Sequence, residues 1–420
     1  MRILHLTTEF PPVIYGGLGT AVGGLAVASA RSGLEVGVLL VGGVLVVGDI
    51  AHGGYGRPGP SYQISGKPEE PIAHPSGITF FQVPWDGAVD AAVRIVAKWQ
   101  PDVIHLHTAW VWPFARAIRE QTGLPLVYTV HSVDRAEYEF GHEPSHILDH
   151  CEDQEEAISK ADRLVALTSN ETELLVHYYP ESQDKIRVVG NGIDDSSLAQ
   201  LSAQRIKDGD PPLVLYTGRL VERKGIRELL EAISIVLYKA PRTRFVLAGG
   251  PPDRSGEDLK REWLPASCFP YFDQIHFTGW LSQEQIEQWY CLADIQVVPS
   301  RYEPFGMVVL EGMLYGLPII AADVGGPKSI LDHEETGLLF PPRDVNALAA
   351  DMLCLIKSPS LRHKLGTAGA IDVRRNWLWP HVVGRMRRVY NEAFEMNGYH
   401  WPLCRDSAVV FPATSACQMV

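Results

Sequence analysis

The chain has 420 residues, long enough for two domains of ordinary size, each with its own core. Hydrophobic residues at 46% and charged residues at 21% describe a soluble globular protein, and a net charge of −13 excludes the basic footprint that a nucleic-acid partner requires. The acidity is uneven. Residues 1–194 hold 13 Lys/Arg against 24 Asp/Glu, a balance of −11 that leaves −2 for the rest, so anionic lipid headgroups should be repelled by the first half. Solubility alone is the other reading of that balance.

The six cysteines (Cys151, Cys268, Cys291, Cys354, Cys404, Cys417) are scattered without a C-x-x-C pair, which fits reduced thiols in a cytoplasmic protein. The start of the chain is a short apolar run broken at Glu9 and does not read as a secretory leader. The longest apolar run, 36–47, is too short and too rich in glycine to span a bilayer, so membrane insertion is not expected.

Strands alternate with helices along the chain, the mark of doubly wound sheets. In the first half, strands are expected over 2–6, 36–41, 79–83, 103–107, 126–130, 164–167 and 186–189, with helices over 88–99 and 151–160. The Gly/Pro-rich stretch 48–77 reads as an excursion or loop. Asn191-Gly192-Ile193-Asp194 closes this half, and a polar stretch running to Pro211-Pro212 reads as a linker. Strands over 213–217, 243–248, 275–278, 295–298, 318–321 and 337–340 follow, with helices over 225–237 and 283–291. One last helix, 379–396, is long enough to cross back to the first half, and the tail from Asn397 has no clear period. The expected division is a domain at 1–200, a second at 201–375, the returning helix at 376–398 and a tail at 399–420. The fold class is α/β, with two Rossmann-like domains facing across a cleft where the carboxyl ends of the strands gather polar groups.

The stretch from Arg301 to Gly326, RYEPFGMVVLEGMLYGLPIIAADVGG, places Glu303 and Glu311 either side of a loop that runs into a helix. Backbone N–H groups at such a helix start make a cradle for an anion or polar ligand. Glu311, read as about two turns into the helix and buried, needs a partner, which a polyhydroxyl ligand would supply. After the first strand, Gly16-Gly17-Leu18-Gly19 lets a phosphate or sugar approach the backbone, though a flexible turn is the plainer reading. A dinucleotide fingerprint fits poorly, because Gly17-x-Gly19-x-x-x-Gly23 is off by one and no acidic residue ends the second strand.

Gly218-Arg219-Leu220 followed by Arg223-Lys224-Gly225 puts cations between a strand and a helix start. Arg219 and Lys224 suit a diphosphate, each charge-assisted contact being worth roughly 1.5–3 kcal/mol, whereas Arg223 reads as solvated surface. His131 ends a strand and points into the cleft; a structural histidine is the equal alternative. His107 and Trp110, in HLHTAW, read as packing and orienting residues.

His142-Glu143-Pro144-Ser145-His146 matches the H-E-x-x-H zinc pattern, but Pro144 inside the turn would cost about 3 kcal/mol unless it lay in the helix's first turn. No metal is expected.

With these residues in view, the chain resembles a retaining GT-B glycosyltransferase of family 4, a group similar to bacterial glycogen synthases. The resemblance spans about residues 1–396 and rests on Gly16-Gly17-Leu18-Gly19, His131, Gly192-Ile193-Asp194, Gly218-Arg219-Leu220 with Lys224-Gly225, and the segment Glu303 to Gly326. It implies transfer of a hexosyl group from a nucleotide-diphosphate sugar, with UDP the favoured carrier, to a hydroxyl of a soluble carbohydrate or small molecule. No cofactor is implied, since the nucleotide sugar is a substrate. By resemblance Glu303 and His131 lie at the donor sugar, and Arg219 and Lys224 hold the departing diphosphate. Glu311 meets the ribose, and the backbone of Phe305, Gly306, Met307 and Val308 helps at the phosphates and sugar. Ile14 stands where glycogen synthases carry lysine, and Val324-Gly325-Gly326-Pro327 is closer to sucrose and sucrose-phosphate synthases. A non-catalytic GT-B protein that binds a sugar or a partner is the alternative of another class.

Overall fold

The computed structural model describes residues 1–11, 17–42, 70–85, 88–141, 151–204, 211–396 and 398. Among them are fourteen strands in two sheets. The first sheet contains β1 (Arg2–Thr7), β2 (Glu35–Val41), β3 (Ile72–Ala73), β4 (Ile78–Val83), β5 (Val103–Leu106), β6 (Leu126–Val130), β7 (Arg163–Ala166) and β8 (Ile186–Val188), in the order β3-β4-β2-β1-β5-β6-β7-β8. The second contains β9 (Leu213–Thr217), β10 (Arg244–Ala248), β11 (Ile275–Gly279), β12 (Ile295–Val298), β13 (Ile319–Ala322) and β14 (Gly337–Phe340), in the order β11-β10-β9-β12-β13-β14. All pairings are parallel except β3 against β4. Strands such as Ile295–Val298 and Ile319–Ala322 are buried at every residue, as parallel strands covered on both faces must be.

The strand pattern read from the sequence holds to within a residue at each end. One strand was not foreseen: Ile72–Ala73, a two-residue edge strand inside the excursion, whose residues up to 69 lie outside the described ones. The expected linker is also more ordered than its polarity suggests. Ser197–Gln204 is a helix, with Ala199 buried in the second domain's core and Ser202 Oγ donating to Tyr315 O at 3.2 Å.

Both sheets are double-sided. One face of the first sheet packs on helices Val89–Trp99, Trp112–Thr122 and Cys151–Lys160; the other packs on Gly17–Arg31 and the last helix, Trp379–Met396. That last helix buries Trp379, Val382, Val383, Met386, Val389 and Tyr390 against Ile3, Val103, Val127 and Val165 of the first sheet. Trp379 seats where no side chain competes, since a Cβ on Gly24 or Gly192 would come within 2.2 or 2.5 Å of its indole. No helix among the described residues is long and apolar enough to cross a membrane.

In each sheet the strand order reverses beside the first strand of its half, at β1/β5 and at β9/β12. Loops leaving those strands diverge to opposite faces and open a crevice at the carboxyl edge. The predicted site residues follow these strands or their neighbour β6.

Candidate active site

The loop after β9 carries Arg219 and Lys224. Gly225 has φ 70°, and a Cβ there would lie 2.0 Å from Pro299 O, so only glycine lets this turn lean on the end of β12. The close approach brings the Lys224 ammonium onto Glu303 Oε2, which also accepts from Ser300 Oγ at 3.2 Å. Both partners are largely buried, with side-chain exposures of 17% and 10%. Burial alone would raise the Glu303 carboxyl, but the charge and hydrogen bond of Lys224, with Arg223 nearby, hold it below the ordinary carboxylate value. Arg219 is exposed at the mouth of the same loop, with its carbonyl fixed by the Tyr216 hydroxyl at 2.7 Å. Gly218 has φ 144°, a conformation that favours glycine, and a Cβ on Gly249 would come 1.9 Å from its carbonyl, so the loops after β9 and β10 lie in contact.

The Glu303 loop is held from behind by the glycine pair after β13. Gly326 N donates to Glu303 O at 2.8 Å, and Cβ atoms on Gly325 and Gly326 would come 2.3 Å from Glu303 O and 1.6 Å from Phe305 O. Phe305 itself is buried edge-on against Trp377, with ring centroids 5.5 Å apart, so only its backbone faces the loop. Gly306, at φ 97°, caps the helix Met307–Leu314. Because that helix begins at Met307, Glu311 stands little more than one turn in, not two. Its partner is Tyr290, whose hydroxyl donates to Glu311 Oε2 at 2.6 Å and lies 2.9 Å from Thr217 Oγ1. Val308 O accepts from Gln296 Nε2 at 3.0 Å, which ties the helix start to β12. Burial pushes the Glu311 carboxyl up, Tyr290 opposing it.

In the first domain His131, half-buried, ends β6, and its neighbour Ser132 lies 3.3 Å from the hydroxyl of Tyr302, the residue before Glu303. His131 Nε2 lies 3.2 Å from His107 Nδ1, and His107 Nε2 lies 2.8 Å from His5 Nδ1. Burial lowers His131 to about 4 and His5 to about 3, so these rings are neutral at physiological pH. His105 stands beside them, bonded to the Tyr390 hydroxyl at 2.8 Å and to Thr129 Oγ1 at 2.7 Å. The nitrogens of His5, His105 and His107 converge within 4.8 Å, close enough to suggest a cation. Five of the six are already hydrogen-bonded, and the 2.8 Å His5–His107 contact is a hydrogen-bond separation, so the cluster is a network as it stands.

Gly17 is exposed at the first position of the helix after β1, and Leu18 is half-buried against the Phe10 and Val22 cluster; no described hydrogen bond joins either to Glu303 or Lys224. Gly16, Ile14 and the segment 142–150 with its H-E-x-x-H pattern lie outside the described residues.

Two sets of residues escaped the sequence reading. Arg223, expected on the surface, is 9% exposed, and its guanidinium lies 3.4 Å from Glu137 of the first domain. Beside it Tyr302 is buried in the first domain's core, with its hydroxyl 3.3 Å from Ser132 Oγ. A basic residue in a loop gives no local sign that another domain will cover it. Glu171 did leave a signal, the capping pattern Thr168-x-x-Glu171: Thr168 Oγ1 accepts from Glu171 N at 3.0 Å and the Glu171 carboxyl accepts from Leu167 N at 2.5 Å.

Residues 15–197 match the model of glycosyltransferase family 4, and residues 199–371 match that of glycosyl transferases group 1. A D-inositol 3-phosphate glycosyltransferase of Thermobispora bispora is 30% identical over 325 residues, 73% of this chain and 75% of that protein. A glycogen synthase of Mycobacterium tuberculosis is 26% identical over 405 residues, 93% and 94% of the two chains. Among solved structures, the sucrose-phosphate synthase of Thermosynechococcus elongatus superposes with a TM-score of 0.73 at 24% identity, covering 94% of this chain and 99% of that one. With two facing doubly wound domains and these relatives, the chain belongs to the GT-B glycosyltransferases of family 4, glycosyl transferases group 1.

Proposed function

We propose that this glycosyltransferase moves a hexosyl group, with retention of anomeric configuration, from a nucleotide-diphosphate sugar to a hydroxyl of a soluble carbohydrate or small molecule. The observation that carries this reading is the Lys224–Glu303 pair at the second sheet's switch point, with exposed Arg219 beside it. Lys224 has three N–H donors and uses one on Glu303, so the others are available for a phosphate oxygen. Arg219 and Lys224 then stabilise the charge that develops on the departing diphosphate, which would itself take the acceptor's proton in a front-face displacement. Glu303, kept ionised by Lys224, accepts from hydroxyls of the transferred sugar. Glu311 accepts from the ribose with the oxygen that Tyr290 does not hold. The backbone around Phe305, Gly306, Met307 and Val308, and the chain at Gly16, Gly17 and Leu18, flank the phosphates and sugar; no metal or cofactor takes part in this scheme.

UDP is the carrier we favour, since Ile14 replaces the lysine of the glycogen-synthase loop, which weighs against ADP-glucose. The acceptor side belongs to the first domain. There Trp85 and Trp110, 44% and 54% exposed, follow β4 and β5 and offer flat faces of the kind on which sugar rings stack. The glycogen-synthase and sucrose-phosphate-synthase likenesses favour a glucosyl donor as the second reading.

The test is a thermal-shift screen with UDP, ADP, GDP and their sugars, followed by transfer assays on the active pair. A ligand at a hundred times its dissociation constant adds about 2.7 kcal/mol, easily seen as a shift. Lys224→Ala and Glu303→Ala should each lower turnover at least ~100-fold. Full activity in both variants, or no shift with any nucleotide, sinks the assignment.

A further inference from the structure

His5, His107 and His131 form one hydrogen-bonded file running from the core of the first domain to the cleft. His5 Nδ1 and His107 Nε2 are 2.8 Å apart, and His107 Nδ1 and His131 Nε2 are 3.2 Å apart. All three rings are driven by burial towards the neutral form. A neutral imidazole has one N–H and one lone pair, so a file of three can be ordered in only two ways. Either every N–H points inward, or every N–H points outward.

The inner end decides between them. His5 is fully buried, and its Nε2 has no hydrogen-bond partner among the described residues. In the inward order that nitrogen would carry a buried N–H with no acceptor; in the outward order it carries only a lone pair with no donor. Orphaned buried N–H groups are the rarer and costlier of the two. In the outward order His5 Nδ1–H donates to His107 Nε2, and His107 Nδ1–H donates to His131 Nε2. The proton of His131 must then sit on Nδ1, which has no partner among the described residues while its ring is half-open to the cleft. His105 does not bias the file, because the Tyr390 and Thr129 hydroxyls that hold it can each donate or accept; its ring, with its centroid 4.0 Å from that of His107, packs against it.

We propose that His5 and His107 are positioning residues that hold neutral His131 in its Nδ1–H form, so that the cleft meets a hydrogen-bond donor there and not a base. The ligand atom selected is an oxygen acceptor; that it belongs to the donor sugar rests on the transferase reading above. A second consequence is that a base for the acceptor hydroxyl must be sought elsewhere than His131.

The test is long-range ¹H–¹⁵N correlation of the imidazoles in the full chain at neutral pH. His131 should show a pyrrole-type Nδ1 and a pyridine-type Nε2. In His5→Phe, which removes the donor to His107 Nε2, the two His131 shifts should move together towards an average of both tautomers. His5→Asn, which keeps an amide N–H near the Nδ1 position, should leave them in place. An Nε2–H tautomer or an imidazolium at His131 in the wild type overturns the inference even if neither variant folds. So does a stoichiometric shift of the file on adding zinc, which would make the cluster a metal site. These spectra need no substrate: failure of every nucleotide to bind would remove the transferase reading and leave the tautomer result standing.

Discussion

Tyr302 belongs to the second domain by sequence and to the first by packing. It is 7% exposed within the cluster that includes Val130, Val133 and Ala136, and its hydroxyl sits 3.3 Å from Ser132 Oγ. It is the residue before Glu303, so the same loop that presents the carboxylate also anchors the two domains together. Tyr302→Ala should lower stability by roughly 3 kcal/mol through the cavity it leaves. It should also expand the molecule in small-angle scattering as the domains part. Tyr302→Phe keeps the packing and loses one shared hydrogen bond, about 1 kcal/mol. Equal scattering profiles for wild type and Tyr302→Ala would show that the domains are held by other contacts.

Arg223 and Glu137 make the neighbouring interdomain contact at 3.4 Å, with side chains 10% and 13% exposed. Removing one partner leaves the other charge covered and poorly compensated, so each single alanine variant should be worse than the pair's net worth suggests. A double-mutant cycle in urea should return a coupling of about 0.5–3 kcal/mol. A coupling of zero would place Arg223 back on a solvated surface in solution.

Gly225→Ala separates geometry from charge. The alanine keeps every ionisable group yet must hold φ near 70° with its Cβ against Pro299 O. The turn has to move, and Lys224 moves with it. Transfer activity should fall by more than the loss of stability accounts for, read as a reduced kcat at temperatures well below Tm. Activity equal to wild type would mean that Lys224 reaches its place without this turn.

Glu171 gives a pH signature. It is 2% exposed, and burial pushes its carboxyl up to about 8 in the folded state against roughly 4.3 unfolded. The folded protein therefore holds a proton that the unfolded chain has released. The contribution is present below about pH 4.3 and is lost as pH rises towards 8. Chemical denaturation at pH 5.5, 7 and 8.5 should show declining stability across this window, and Glu171→Gln should flatten the decline. An unchanged slope in the variant would assign the titration to another group.

Much of this site was legible because its signals are local. Glu303, the glycines and Lys224-Gly225 follow strands whose continuous apolar runs announce burial on both faces, and the end of a parallel strand is where such a fold binds ligands. The same locality explains what was missed. Arg223 reads as any loop arginine until Glu137 comes from 86 positions away to meet it. Nothing around Tyr302 says that its ring enters another domain. Glu311 was placed about a turn too deep because the start of its helix is set by the left-handed Gly306, a conformation chosen by the packing of the loop on Gly325 and Gly326.

The sequence by itself determined the alternation of strands and helices, the family, and which residues gather at the strand ends, because periodicity and spacing act over a few residues. Only the tertiary structure decided the partners. Lys224 holds Glu303, Tyr290 holds Glu311, and three histidines from β1 and the loops after β5 and β6 line up in one file. Those contacts arise where separate loops meet at the edge of a sheet. A hydrogen bond between neutral rings depends on tenths of an ångström and on which nitrogen is left unpaired, neither of which is written in the order of the residues.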